Sequence, residues 1–346
     1  LAREAFQYAG QSIGPGERLT VELPVGTLID HTPVTLPVHV IHGRRPGPSM
    51  LVCAAVHGDE IIGVEIIRRL LGEKALKNLR GTLLVVPIVN AFGFQTHSRY
   101  LPDRRDLNRV FPGNSTGSLA SQLAAIFLEQ VVARVDLAID LHSAAVHRTN
   151  LPQIRVSPDQ PSAQKLAREF GAPVYMMSKV LPGSLRESAQ KIGIDMLLYE
   201  AGEALRYDET AIRVGLRGIL RVMRSMDMLP ARTRKVVKTL LGTRNRWTRA
   251  PHGGLLRAFK TIGDAVEEGD LLGTISDPMG TREDQIIATD SGLIIGRTNL
   301  PLVHRGDALF HIVQVRKPDD LEQNIEQYDI ALQNDPLFDG DEDEIL

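Results

Sequence analysis

Two strand-like runs, each ending at residues able to hold a metal ion, constrain this chain more than any other feature. Met50–Val56 is apolar throughout and is followed at once by His57-Gly58-Asp59-Glu60. A second run, Val135–Leu141, delivers His142-Ser143 in the same manner. In an open α/β sheet, ligands bind at the carboxyl ends of the strands. His57 and Glu60 stand three residues apart, so a helix starting there would let imidazole and carboxylate reach one ion. His142 completes a His-Glu-His set and leaves a fourth position for water. That is the arrangement of a catalytic rather than a structural zinc site. A lone histidine is more often a hydrogen-bonded structural residue; the joint placement of these three argues for the metal.

The surrounding pattern predicts an α/β fold. Leu36–His42, Met50–Val56 and Gly81–Val89 read as strands, and Ile61–Leu71 as a helix with apolar spacing of three to four. Residues 90–118 form a long polar stretch rich in Arg, Asn, Pro and Gly, and such loops are usually functional or disordered. A helix over Leu119–Ala133 and further strands and helices follow, to a last helix at Glu209–Met226. The alternation predicts a mixed, largely parallel sheet with helices on both faces. Residues 1–35 read as edge strands or an arm. The expected domains are a catalytic unit over residues 1–245, a small all-β unit over 251–313, and an acidic tail over 314–346.

The small unit is marked by Gly-Asp pairs at Gly263-Asp264, Gly269-Asp270 and Gly306-Asp307, separated by short Val/Ile/Leu stretches. Its pattern resembles the biotinyl/lipoyl carrier fold. A carrier needs a lysine at the central hairpin, yet no lysine occurs between Lys260 and Lys317. A swinging-arm role is therefore not expected. The basic stretch over residues 230–250 reads as a solvated linker or helix face, with Trp247 alone as an aromatic.

The 346 residues, 43% of them hydrophobic, suffice for one large and one smaller core. A net charge of -2 gives no general attraction to nucleic acid or to an anionic membrane. No apolar run is long enough to span a bilayer, so the expected location is cytoplasmic. The single Cys53 sits inside an apolar run and reads as a small buried hydrophobe.

Several other residues carry candidate chemistry. Asp140 precedes His142 by two and could share its strand face as a partner of the metal ligands. Asp59 could do the same or act as a charge at a helix N-terminus. Glu200 follows a strand and suits a general base, with Glu203 as a close rival. Asn108 and Arg109, in Asp106-Leu107-Asn108-Arg109, could hold a substrate carboxylate. One of Arg99, Arg104 and Arg105 could polarise a scissile carbonyl.

Together these residues resemble the succinylglutamate desuccinylase/aspartoacylase family, a branch of the zinc carboxypeptidase-like hydrolases. The matching pieces are His57-Gly58-Asp59-Glu60, Arg99-Tyr100, Asp106 through Gly113, Asp140-Leu141-His142, and Glu200 with Gly202. The resemblance implies a zinc carboxypeptidase-like fold and one zinc per chain, held by His57, Glu60 and His142. It implies Glu200 as general base, Arg99 as the carbonyl-polarising group, and Asn108 and Arg109 as carboxylate binders. Arg105 competes with Arg99 because the segment between Arg99 and Asn108 is about two residues longer than in aspartoacylase.

The expected function is hydrolysis of the amide bond of an N-acyl amino acid or related small amide. Its rivals are a zinc carboxypeptidase acting on peptides and a non-enzymatic binding or carrier module. The expected partner is a small-molecule substrate, with no nucleic acid and no membrane. Assembly into a homo-oligomer stays open. The all-β unit is expected to narrow access to the metal.

Overall fold

Strands and helices alternate along the first of the two units into which the chain divides, Leu1–Thr233 and Arg234–Leu346. The computed structural model describes residues 3–27, 29–231 and 239–315. In the first unit these are β1 (Phe6–Tyr8), β2 (Gln11–Ile13), β3 (Arg18–Thr27), β4 (Pro33–His42), β5 (Arg45–Ala54), α1 (Ile62–Gly72), β6 (Arg80–Val86) and α2 (Ala91–Gln95). Then come α3 (Leu119–Gln130), β7 (Leu137–Ala144), β8 (Arg148–Val156), α4 (Pro161–Phe170), β9 (Val174–Met177), α5 (Leu185–Lys191), β10 (Asp195–Glu203) and α6 (Glu209–Ser225).

The main sheet of this unit has the order β9-β8-β10-β7-β5-β6-β4-β3. Strands β10, β7, β5 and β6 run parallel at its centre. Strand β8 is antiparallel to β10, and β4 and β3 add antiparallel strands at the other end. The sheet is therefore mixed, and parallel order is confined to its centre and to the β8–β9 pair. The cause lies in the connections. Only residues 145–147 join β7 to β8, and only residues 28–32 join β3 to β4. Such links reverse the chain, whereas parallel neighbours require a long crossover.

Helices cover both faces. Along β5, Leu51 and Cys53 join a core with Leu123 and Phe127 of α3 and Leu185 and Ala189 of α5. Ala54 points the other way, as strand alternation requires, against α1. A Cβ at Gly63 of α1 would lie 2.6 Å from the Cβ of Ala54 and 2.7 Å from that of Leu141, so glycine lets α1 sit directly on β5 and β7. Ile62, Ile66, Ile67 and Leu70 bury the inner side of α1. Each contributes roughly 1.5–3 kcal/mol through burial, which anchors the loop just before the helix. α6 packs beside α1, and α4 packs beside α6.

The stretch expected as an unstructured polar loop contains α2 and a 3-10 turn at Leu107–Arg109. No helix among the described residues is long and apolar enough to cross a membrane.

The second unit is all-β among its described residues: β11 (Leu240–Arg249), β12 (Gly254–Ala258), β13 (Ala265–Val266), β14 (Leu271–Ser276), β15 (Glu283–Ile287), β16 (Gly292–Thr298), β17 (Leu302–Val303) and β18 (Ala308–Val315). The antiparallel sets β13-β16-β18-β11 and β15-β14-β12-β17 share one core that includes Leu272, Ile275, Leu309 and Phe310. Much of the basic stretch read as a linker is strand β11, in register with β18. At the tip of the β14–β15 hairpin, where a carrier would present lysine, Met279 is exposed and the Asp277 carboxylate accepts from its backbone N–H. Residues 232–238 of the basic stretch and 316–346 of the acidic tail lie outside the described residues.

Candidate active site

Ala55, the residue after β5, has a φ of 51°, in the left-handed region that turns the chain sharply. The carbonyls of Ala54 and Ala55 accept from Val89 and Asn90, which fixes the turn against the end of β6. His57 to Glu60 then form a tight turn closed by Glu60 N–H donating to the His57 carbonyl. Gly58 is packed so closely that a Cβ would lie 2.0 Å from the Gly93 carbonyl carbon. The helix begins only at Ile62. His57 and Glu60 thus meet across a turn, not along a helix face as their spacing suggested.

Strand β7 supplies the third residue. Leu141 pairs with Ala54, so His142 extends one residue past the last pairing with β5 and reaches the His57–Glu60 turn. His57 Nδ1 lies 2.7 Å from Glu60 Oε1, and His142 Nδ1 lies 2.7 Å from Glu60 Oε2. All three side chains are buried. Their candidate ligand atoms lie within 4.8 Å of one another, close enough for a single ion to bridge them. Two imidazoles and a carboxylate are a donor set that suits zinc.

The outer ring nitrogens are held as well. His57 Nε2 lies 3.1 Å from Asp106 Oδ1, and His142 Nε2 lies 2.8 Å from Asp140 Oδ2. Carboxylates in these positions fix ring orientation and turn both Nδ1 atoms inward. Asp106 also caps its own 3-10 turn by accepting from Asn108 N–H at 2.9 Å.

Burial raises the pKa of Glu60, but the two imidazoles outweigh it and hold the carboxyl well below the usual range. Burial lowers His142, yet Asp140 and Glu60 together push it well above the ordinary value. His57 is raised in the same way by Glu60 and Asp106 against burial. Burial, and next the charge of Glu60, raise the pKa of Asp59, whose Oδ1 has no hydrogen-bond partner among the described residues.

Of the candidate arginines, Arg99 reaches this cluster. Its Nη1 donates to Glu60 Oε1 at 3.2 Å, and its Nε and Nη2 donate to Asp106 Oδ2 at 3.1 and 3.0 Å. Arg105 is exposed, and its Nε lies 3.9 Å from Asp103 Oδ2. Asn108 is buried, and its side-chain carbonyl accepts from Leu185 N–H at the start of α5. Arg109 is exposed and donates to the Asn108 backbone carbonyl at 2.6 Å.

Glu200 pairs in register with His142, which places the two in one row of neighbouring parallel strands. Glu203 lies beyond a register shift and accepts from the His147 N–H of the β7–β8 turn. Around Glu200 are three residues that were not singled out from the sequence: Asn150, Arg155 and Arg186. Asn150 Nδ2 donates to Glu200 Oε2 at 2.9 Å, and Arg155 Nη1 lies 3.7 Å from Oε1. Arg186 on α5 is buried and donates through Nη2 to Ser178 and Lys179, while its Nη1 has no hydrogen-bond partner among the described residues. Burial pushes Arg186 down to about 10, with the like charge of Arg155 acting in the same direction. No local sequence signal marks these residues, because Asn150 and Arg155 reach Glu200 from the neighbouring strand β8 and Arg186 from α5.

The family model of the succinylglutamate desuccinylase/aspartoacylase catalytic domain matches residues 46–226, more than half of the chain. The chain belongs to the succinylglutamate desuccinylase/aspartoacylase family. Its members are hydrolases that act on N-acyl amino acid amides. The matched span contains every element of the histidine cluster.

An N-alpha-acetyl-L-2,4-diaminobutyric acid deacetylase from Halomonas elongata is 25% identical over 82% of this chain and 86% of its own. A succinylglutamate desuccinylase from Pseudomonas aeruginosa is 27% identical over 56% of this chain and 61% of its own. The crystal structure of a succinylglutamate desuccinylase/aspartoacylase from Rhodobacter sphaeroides superposes with a TM-score of 0.78 at 24% identity. That superposition covers 86% of this chain and 96% of the other, and shows a shared fold.

Proposed function

We propose that this chain is a zinc-dependent amidohydrolase that removes the acyl group from a small N-acyl amino acid or related amide. The reaction class comes with the family. The zinc reading rests on one observation: two inward-facing Nδ1 atoms and one carboxylate converge, with the outer ring nitrogens held by Asp106 and Asp140. His57, Glu60 and His142 would hold the ion. Zinc, when bound, supplies a Lewis acid that polarises the carbonyl and makes water a nucleophile near neutral pH.

The chain's own groups then divide the work. Glu200 takes a proton from the attacking water and returns it to the leaving nitrogen. Arg99 donates to the carbonyl oxygen as negative charge builds on it. Asn108 and Arg109 bind the carboxylate of the amino-acid part, for which a guanidinium fork has the right geometry. The names of the Halomonas and Pseudomonas relatives specify acetyl and succinyl groups on amino acids. They support the substrate class without selecting the acyl group.

The test is metal analysis followed by a hydrolysis screen over N-acetyl, N-succinyl and longer N-acyl amino acids, with short peptides assayed in parallel. About one zinc per chain and turnover confined to the N-acyl amino acids are expected. Turnover of peptides alone would reassign the protein as a carboxypeptidase.

A further inference from the structure

Strand β8 reaches Glu200 at two separate points. Glu200 on β10 pairs across the ladder with Gln153, while Leu198 pairs with Arg155. Arg155 therefore stands two residues along from Glu200's partner, on the same sheet face, at the diagonal distance that a long side chain spans. After Glu200 the register with β8 shifts, and the next pair is Gly202 with Asn150. The shift is accompanied by a φ of 67° at Gly202. Irregularities of this kind re-aim side chains next to active sites.

The two contacts differ in kind. Asn150 Nδ2 donates to Oε2 at 2.9 Å, a full hydrogen bond. Arg155 Nη1 lies 3.7 Å from Oε1, which is an ion-pair separation and too long for a hydrogen bond. Oε2 is thus anchored, whereas Oε1 is held in direction by charge but keeps its lone pairs available. That is what a proton-accepting oxygen requires. Arg155 is not saturated by Glu200, because its buried Nε has no hydrogen-bond partner among the described residues. Arg186 is engaged elsewhere through Nη2, by Ser178 and Lys179, and among the described residues the ion pair at Glu200 is the one with Arg155.

We propose that Arg155, together with Asn150, is a positioning residue that aims the Oε1 of Glu200 at the reacting water. This rests on the reading of Glu200 as the base. A glutamate side chain has several rotatable bonds and loses rotamer entropy when fixed. Anchored by Asn150 alone, Glu200 can pivot about Oε2. The charge of Arg155 removes that freedom without occupying the acceptor.

The test is a double-mutant cycle on the zinc-loaded full chain, assayed with N-acetyl and N-succinyl amino acids. Arg155→Met should lower kcat by about 10–100-fold, the range for removing a group that orients a functional side chain. KM should stay within about two-fold, with zinc content and melting temperature unchanged. Arg155→Lys, which keeps the charge, should recover part of kcat and carries the test if the methionine variant fails to fold. In a Glu200→Gln background, Arg155→Met should have little further effect.

A raised KM with kcat preserved would make Arg155 a substrate contact and overturn the proposal. So would unchanged kinetics in Arg155→Met, or the same fold loss in both backgrounds. Full turnover by Glu200→Gln alone would remove the base assignment itself, an outcome read in a different variant.

Discussion

Asp106 and His57, 49 residues apart in the chain, meet at 3.1 Å through Oδ1 and Nε2. Asp106 also receives two donors from Arg99. Burial raises its pKa, but His57 and Arg99 outweigh this and keep the carboxyl well below its usual range. One carboxylate therefore orients a candidate metal ligand and the candidate carbonyl-polarising arginine together.

Asp106→Asn should accordingly weaken zinc binding by about 10–100-fold, the usual cost of losing a partner of a metal-bound histidine. Competition with a chelator of known affinity measures this. An unchanged zinc affinity would make the Asp106–His57 contact incidental.

Glu200→Gln should separate binding from chemistry. Zinc should remain while turnover falls about 10²–10⁴-fold, the range for losing a general acid or base. Metal content and single-turnover rates on the same preparation check both halves. Full activity would shift the role to Glu203 or another carboxylate.

Arg99 and Arg109 should behave oppositely. Arg99 sits on the cluster, so Arg99→Ala should mainly lower kcat, because its contact strengthens as the oxyanion forms. Arg109 is exposed and is proposed to bind a substrate carboxylate, so Arg109→Ala should mainly raise KM through lost uniform binding. Steady-state kinetics on one N-acyl amino acid would reveal exchanged roles if the pattern reversed.

The helix layer behind the site gives a pH prediction. Arg69 of α1 donates to both oxygens of Glu209 on α6, at 2.7 and 2.8 Å. Burial raises the pKa of Glu209, but Arg69 and Arg213 outweigh it and lower the value. A depressed carboxylate stabilises the fold above its unfolded pKa of about 4.3 and loses that contribution as pH falls through the folded value. Glu209→Gln should therefore be less stable than the parent at pH 7, by no more than about 1 kcal/mol for a pair this exposed. The gap should close as the solution is acidified below about pH 4. Denaturant melts of both proteins across this range test it.

The histidines and Glu60 are legible in sequence because apolar strands deliver them directly. The path of the chain between them is not. The turn at His57–Glu60 depends on a left-handed Ala55 and on Gly58 lying against Gly93, and neither is a local signal. Asp140 is legible as a partner of His142 because strand alternation fixes both on one face. Asp106 is not, since its partner lies far away in the chain. Asn150 and Arg155 need the β8–β10 register before their nearness to Glu200 can be seen, and Arg186 needs the docking of α5. The antiparallel edges of the sheet follow from connection lengths that become certain only once strand ends are known. Strand β11 was obscured by Arg244, Asn245 and Arg246, which are exposed and read as a solvated run.

Whether His57, Glu60 and His142 hold a catalytic zinc is decided by the zinc content of the purified chain beside His57→Ala and His142→Ala, measured with X-ray absorption at the metal edge. The parent should carry about one zinc per chain, with nitrogen and oxygen ligands at roughly 2.0–2.2 Å. Zinc and turnover should both be lost, or severely reduced, in either variant. Undiminished zinc in both variants, or full turnover in metal-free protein, would contradict that assignment.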